Sequence, residues 1–161
     1  DEVMVKKLKY IYTVLSEDFK YNSIYSAVVI VRHRLLNSHY LPIVFSSFIL
    51  KPLFHILYVI LNINCQISHK AKIGRRVRLL HRANGVVISK FATIGNDVTI
   101  FHQVTIGVNP KYKESRPLII ESECYLSSGC KVISCHLGRG VVVAPNVVVY
   151  YNVPENQKIL S

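Results

Sequence analysis

From residue 67 onward the branched aliphatic side chains return every six positions, and that spacing constrains the fold more than any other feature of the chain. Ile67, Ile73 and Leu79 form one run, and Ile88, Ile94, Ile100 and Ile106 a second. Ile120, Leu126 and Val132 form a third, and Leu137, Val143 and Val149 a fourth. Four residues after most beats stands a smaller apolar side chain: Ala71, Val77, Ala83, Ala92, Val98, Val104, Cys124, Cys130, Val141 or Val147. A helix with about 3.6 residues per turn cannot hold a strict six in phase, and simple strand alternation does not space large and small residues this way. Short flat strands joined at tight corners do. Three of them close a triangular coil, and stacked coils pair backbone to backbone at about 4.8 Å. The expected fold is therefore mainly β, a parallel β-helix solenoid, rather than a sandwich with turn signals every ~8–12 residues.

The rhythm also accounts for the cysteines. Cys65, Cys124, Cys130 and Cys135 each stand two residues before a beat, in the corner class filled elsewhere by Ala and Val. They read as small buried hydrophobes, and neither a metal site nor a disulfide framework is expected. Ahead of the repeat the pattern turns helical. VMVKKLKYIYTVL and IYSAVVIVRHRLL carry apolar residues at helical spacing, with a break or new start at SEDFKYNS. Residues 1–62 are expected to form an α-helical region packed on the solenoid, and residues 63–161 the β-helix domain.

Charge narrows the partners. Twenty Lys and Arg against nine Asp and Glu give a formal net charge of +11, which favours an anionic partner. Lys70, Lys72, Arg75, Arg76, Arg78 and Arg82 cluster together, but no Phe, Tyr or Trp is interleaved with them, which argues against nucleic acid. Residues 1–40 show no secretory signal, so the expected location is cytoplasmic. The apolar stretch 41–61 is split by Lys51 and Pro52. It reads as helix packed on the protein, with peripheral contact at the inner face of a membrane as the other reading.

The repeat breaks three times. Three residues are inserted between Leu79 and Ile88, eight between Ile106 and Ile120, and one is deleted between Val132 and Leu137. Insertions in a solenoid become loops on one face, where ligands commonly bind. His81 and His102 each follow a beat by two positions and are 21 residues apart, so they are expected on neighbouring coils along one edge. A histidine there suits a general base that activates a hydroxyl nucleophile. His33, His39, His55 and His69 are expected to be ordinary surface histidines.

SHKAKIGRRVRLLHRANGVVISKFATIGNDVTIFHQVTIG, with the later GRGVVVAPNVVV and NVP, resembles the hexapeptide-repeat acyltransferases. The likeness is greatest to the serine acetyltransferase-like branch that includes bacterial polysaccharide and capsule O-acetyltransferases. The resemblance covers roughly residues 55–157. It implies a left-handed β-helix, homotrimers with active sites between subunits, and acetyl-CoA as donor without a metal.

It further implies that His81, in LLHRANG, is the catalytic base of an O-acetyltransferase, with His102 beside it. Substrate contacts would come from Gln66, Leu80, Arg82, Ser115 and Arg116. Gln66 and Leu80 stand where the family has carboxylates, and Glu114-Ser115-Arg116-Pro117 replaces its Asp-Arg-His-Pro loop. Coenzyme A would lie against Lys113, Ser127, Ser128, Gly129, Lys131, Gly138, Arg139 and Ala144. The departures and His102 together favour a hydroxyl of a surface glycan or its sugar precursor as acceptor. A serine O-acetyltransferase and a non-catalytic solenoid scaffold are the alternatives.

Overall fold

A computed structural model describes residues 2–37, 51–112 and 117–161 of the chain. The first coil is β1 (Gln66–Ile67), β2 (Lys72–Ile73) and β3 (Arg78–Leu79), and the second β4 (Val87–Ile88), β5 (Thr93–Ile94) and β6 (Thr99–Ile100). The third is β7 (Thr105–Gly107), β8 (Ile119–Ile120) and β9 (Tyr125–Leu126), and the fourth β10 (Lys131–Ile133), β11 (His136–Leu137) and β12 (Val142–Val143). β13 (Val148–Val149) and β14 (Lys158–Ile159) begin a fifth. All pairings are parallel. One face stacks β1-β4-β7-β10-β13, the second β2-β5-β8-β11, and the third β3-β6-β9-β12-β14. This is the left-handed parallel β-helix that the repeat and the resemblance led us to expect, with a helical region ahead of it.

Register reproduces the breaks. Ile88 pairs with Ile106, eighteen residues on, in the uninterrupted run. Ile67 pairs with Ile88 and Leu79 with Ile100, a step of 21. Ile106 pairs with Val132, a step of 26, and Val132 with Val149, a step of 17. Val143 to Ile159 is a step of sixteen, a shortening that lies beyond the last beat of the sequence pattern. Inside, the large residues stack on one another: Ile100, Ile106, Ile120, Leu126, Val132, Leu137, Val143 and Val149 are fully buried. Ile73, beside the helices, is only half-buried. The corners are equally tight. A Cβ on Gly95 would lie 2.5 Å from the Ser122 backbone nitrogen, so the chain passes from coil to coil there with no room for a side chain. Cys124, Cys130 and Cys135 fill corners as buried side chains, and burial pushes the Cys124 and Cys130 thiols up to about 11 and about 12.

A parallel solenoid ends in a row of unpaired backbone groups, which must be covered. Helices α1 (Glu2–Tyr21) and α2 (Ile24–Asn37) cover the start of this one. The Asn22 amide, between them, imitates a strand: Nδ2 donates to Val77 O at 2.9 Å and Oδ1 accepts from Leu79 N at 2.7 Å. Ser26 Oγ donates to Leu79 O at 2.6 Å. Arg34 donates to Ile73 O and Gly74 O, each at 2.6 Å, and is held by Asp18 at 3.0 Å. Asp18 is fully buried, and that burial raises its carboxyl pKa despite the guanidinium beside it.

The break expected at SEDFKYNS falls on its last two residues: α1 runs to Tyr21, with Glu17 paired to Arg75 at 2.6 Å, and Asn22-Ser23 separate it from α2. One histidine expectation needs correction. His33 is not a surface histidine. It is 3% exposed on the inner side of α2, and burial, then the Arg34 charge, lower its pKa to about 4. His55 is exposed and His69 half-buried, while His39 and residues 41–50 lie outside the described residues. α3 (Lys51–Ile60) supplies the rest of the apolar stretch, and no helix among the described residues is long and apolar enough to cross a membrane.

Arg34→Met should lower stability by about 3–5 kcal/mol in urea unfolding, because it strips two carbonyls of their donor and strands a buried carboxylate. His33 generates a pH dependence. Unfolded, it binds a proton below its ordinary ~6.5, whereas folded it stays neutral down to about 4. Stability should therefore fall by about 3 kcal/mol as pH drops through that window, and His33→Leu should flatten that part of the profile relative to the wild type.

Candidate functional site

Directly after β3, Leu80 N still donates to Ile100 O at 2.9 Å, as a strand residue would. Then the backbone inverts. His81, Arg82 and Ala83 have φ of 51°, 62° and 56°, three consecutive residues in the left-handed region without a glycine among them. Each costs roughly 1–2 kcal/mol in such a conformation, so surrounding contacts must impose it. Ala83 is fully buried and its N–H donates to Leu80 O at 3.1 Å, and Asn84 N donates to His81 O at 3.2 Å. The Arg82 guanidinium lies 4.0 Å from the ring centre of Tyr25 on α2. The three inserted residues are this turn, and it lifts the His81 side chain clear of the corner into solvent.

His102 also stands two residues after its strand, one coil along the same edge, but in an ordinary corner whose only left-handed residue is Gln103. The two imidazoles stand 4.9 Å apart between ring centres with planes at 86°, one edge-on to the other. Phe101 touches His81 at 5.6 Å and Tyr125 at 5.2 Å, so an aromatic row runs along the outside of the third face. Among the described residues neither imidazole is hydrogen-bonded to a carboxylate. His102 is half-buried, and its Nδ1 is buried with no hydrogen-bond partner among the described residues. An exposed imidazole held against a second one can accept a proton from an approaching hydroxyl.

The other sequence candidates divide. Ser127, Ser128 and Gly129 follow β9 on the histidine edge, where Gly129 N donates to His102 O at 3.1 Å. Ala144 follows β12 on that edge, and Lys131 reaches back to it, Nζ donating to Gly129 O at 3.2 Å. Gly138 and Arg139 do not join them. They turn the other end of the third face, where Arg139 pairs with Glu123 and its N–H donates to Glu121 at 3.1 Å. Gln66 is apart as well, in a groove of about 570 Å³ with Arg32, Tyr58, Ser68 and Lys90. Leu80 is half-buried beside its strand bond, and Arg82 is committed to Tyr25. Lys113, Ser115 and Arg116 lie outside the described residues. Of the basic cluster, Arg75 and Arg76 are ion-paired with Glu17 and Asp97 at 2.6 and 2.7 Å.

Sequence reasoning missed Phe101, Tyr125 and Tyr25. The first two had a signal, since each neighbours a third-face beat and so points outward where small or polar residues are usual. Tyr25 had none, because its partner is distant in sequence.

No family model matches the chain. Over 97 residues, 60% of the chain, it is 40% identical to a serine acetyltransferase of Bacillus licheniformis and 37% identical to one of Bacillus subtilis. The chain spans 44% of the length of each, so somewhat under half. The structure of soybean serine acetyltransferase complexed with serine superposes with a TM-score of 0.65 at 26% identity, covering 84% of this chain and 54% of that one. In sequence and in fold the chain is thus similar to the serine acetyltransferase-like hexapeptide-repeat acyltransferases.

Arg82→Gln should cost about 1 kcal/mol by removing the contact with Tyr25. Amide exchange at Asn84 should accelerate in that variant while exchange at Ile106, deep in the coil stack, should not.

Proposed function

We propose that this protein is an O-acetyltransferase that moves the acetyl group of acetyl-CoA onto a hydroxyl, with His81 as general base. The observation that carries this reading is the strained turn that presents His81 beside His102 on one edge of the solenoid. The 40% identity to a serine acetyltransferase supports it independently. In the reaction, His81 takes the proton of the acceptor hydroxyl as its oxygen attacks the thioester carbon. The tetrahedral centre then collapses, expelling the coenzyme A thiolate, and the proton passes from the imidazolium to that sulfur. Ser127, Ser128, Gly129, Lys131 and Ala144 extend the histidine edge coil by coil and would line the donor's path. The assembly this implies is a homotrimer, with residues 1–62 as a helical unit closing residues 63–161.

For the acceptor, the relatives' names favour L-serine over the surface glycan that the sequence departures suggested. The glycan reading retains one supporting feature, the absence of a carboxylate bonded to either imidazole among the described residues. Work at the inner face of a membrane belongs to that second reading. It rests on α3, which exposes Leu53, Ile56, Val59 and Ile60 beside Lys51.

With acetyl-CoA and L-serine, the purified protein should release free thiol, and His81→Ala should lower kcat by roughly 10²–10⁴-fold with its circular dichroism unchanged. Release that depends instead on added oligosaccharide would select the glycan reading. No release with any hydroxyl acceptor would leave a scaffold.

A further inference from the structure

The structure assigns a second chemical role on the same edge: we propose that His102 is a neutral hydrogen-bond donor whose Nε2–H stabilises the oxyanion formed when His81 activates the acceptor. This rests on the transferase reading above. The starting observation is that, among the described residues, His102 Nδ1 is buried with no hydrogen-bond partner, a condition that Nε2 does not share. A neutral imidazole carries one proton, on one nitrogen or the other. On Nδ1 it would be a buried donor with no acceptor, at a cost of about 1–3 kcal/mol. A bare lone pair there is the better-tolerated arrangement, as it is for backbone groups, whose buried N–H donors are orphaned more rarely than their carbonyl acceptors. The proton is therefore on Nε2.

That tautomer divides the chemistry between the two rings. His81 must offer a lone pair to the hydroxyl proton, and a second lone pair beside it would have no proton to take. A donor is what the step lacks. As the acceptor oxygen bonds to the thioester carbon, the carbonyl π pair moves onto its oxygen, and that oxygen needs a fixed N–H. With ring centres 4.9 Å apart, one tetrahedral carbon can have its nucleophile against His81 and its oxyanion against His102. The edge-on contact and the Gly129 N–H bond to the His102 carbonyl fix the donor before substrate arrives. His102 thus needs no rearrangement at the moment of reaction. Packing alone does not call for a histidine, since the equivalent positions on the next coils are Ser128 and Pro145.

Two measurements test this. On the free protein, imidazole ¹⁵N shifts at pH 8 should show His102 with Nδ1 bare and Nε2 protonated, and an Nδ1–H tautomer would overturn the proposal whether or not the protein transfers acetyl groups. In kinetics, His102→Phe keeps an aromatic ring against His81 but removes the donor. It should lower kcat roughly 10²–10³-fold, with KM for acetyl-CoA within about twofold of wild type. His102→Gln, which restores an N–H, should recover part of the loss. Wild-type kcat in His102→Phe would show that the ring only packs. A wild-type protein inert toward every hydroxyl acceptor would instead remove the transferase reading, and the oxyanion role with it.

Discussion

Every coil of this protein is held by the amide and carbonyl groups of the next, and that backbone ladder is what the rest of the structure depends on. Phe101 N donates to Leu126 O at 3.0 Å and Ser127 N to Val143 O at 3.0 Å, repeating along the third face as equivalent bonds repeat along the other two. Parallel pairing fixes which residues are neighbours across coils. Beats therefore stack on beats, and each corner stacks on the corner below. The helical cap follows from the same ladder. Its first rung has no preceding coil, and Asn22, Ser26 and Arg34 supply the missing donors and acceptors.

The corners show how strictly stacking governs the side chains. Arg76, Asp97 and Glu123 all occupy left-handed backbone at the turn into the third face, with φ of 53°, 59° and 65°. Glycine is the usual occupant of such positions. Here the stacked side chains pair instead, Arg76 with Asp97 and Glu123 with Arg139. Exposed pairs of this kind contribute little individually, on the order of 0–1 kcal/mol. They link the first coil to the second and the third to the fourth at that corner.

The histidine edge departs from this economy. Its three-residue turn is strained, and among the described residues its imidazoles have no carboxylate partner and His102 Nδ1 is buried without a hydrogen bond. Strain and unsatisfied polarity persist only where neighbouring structure imposes them. Tyr25 on α2 clamps the turn through Arg82, and Phe101 with His102 hold the His81 ring. The helical region therefore both closes the solenoid and braces the turn that presents the base.

The sequence by itself determined the coils, their breaks, the burial of Cys124, Cys130 and Cys135, though not the half-exposure of Cys65, and the pairing of His81 with His102. All of these follow from counting along one chain, because a repeat of six converts sequence separation directly into spatial register. Counting also separates Gly138 and Arg139, which follow Leu137, from Ser127, Ser128 and Gly129, which follow Leu126. It could not determine that Arg82 is committed to Tyr25. It also hid the burial of His33, since helical spacing does not say which neighbour covers a face. Those were decided by the tertiary structure, through the docking of helices onto the first coil. That docking is not encoded in local periodicity, because it depends on groups brought together from distant parts of the chain.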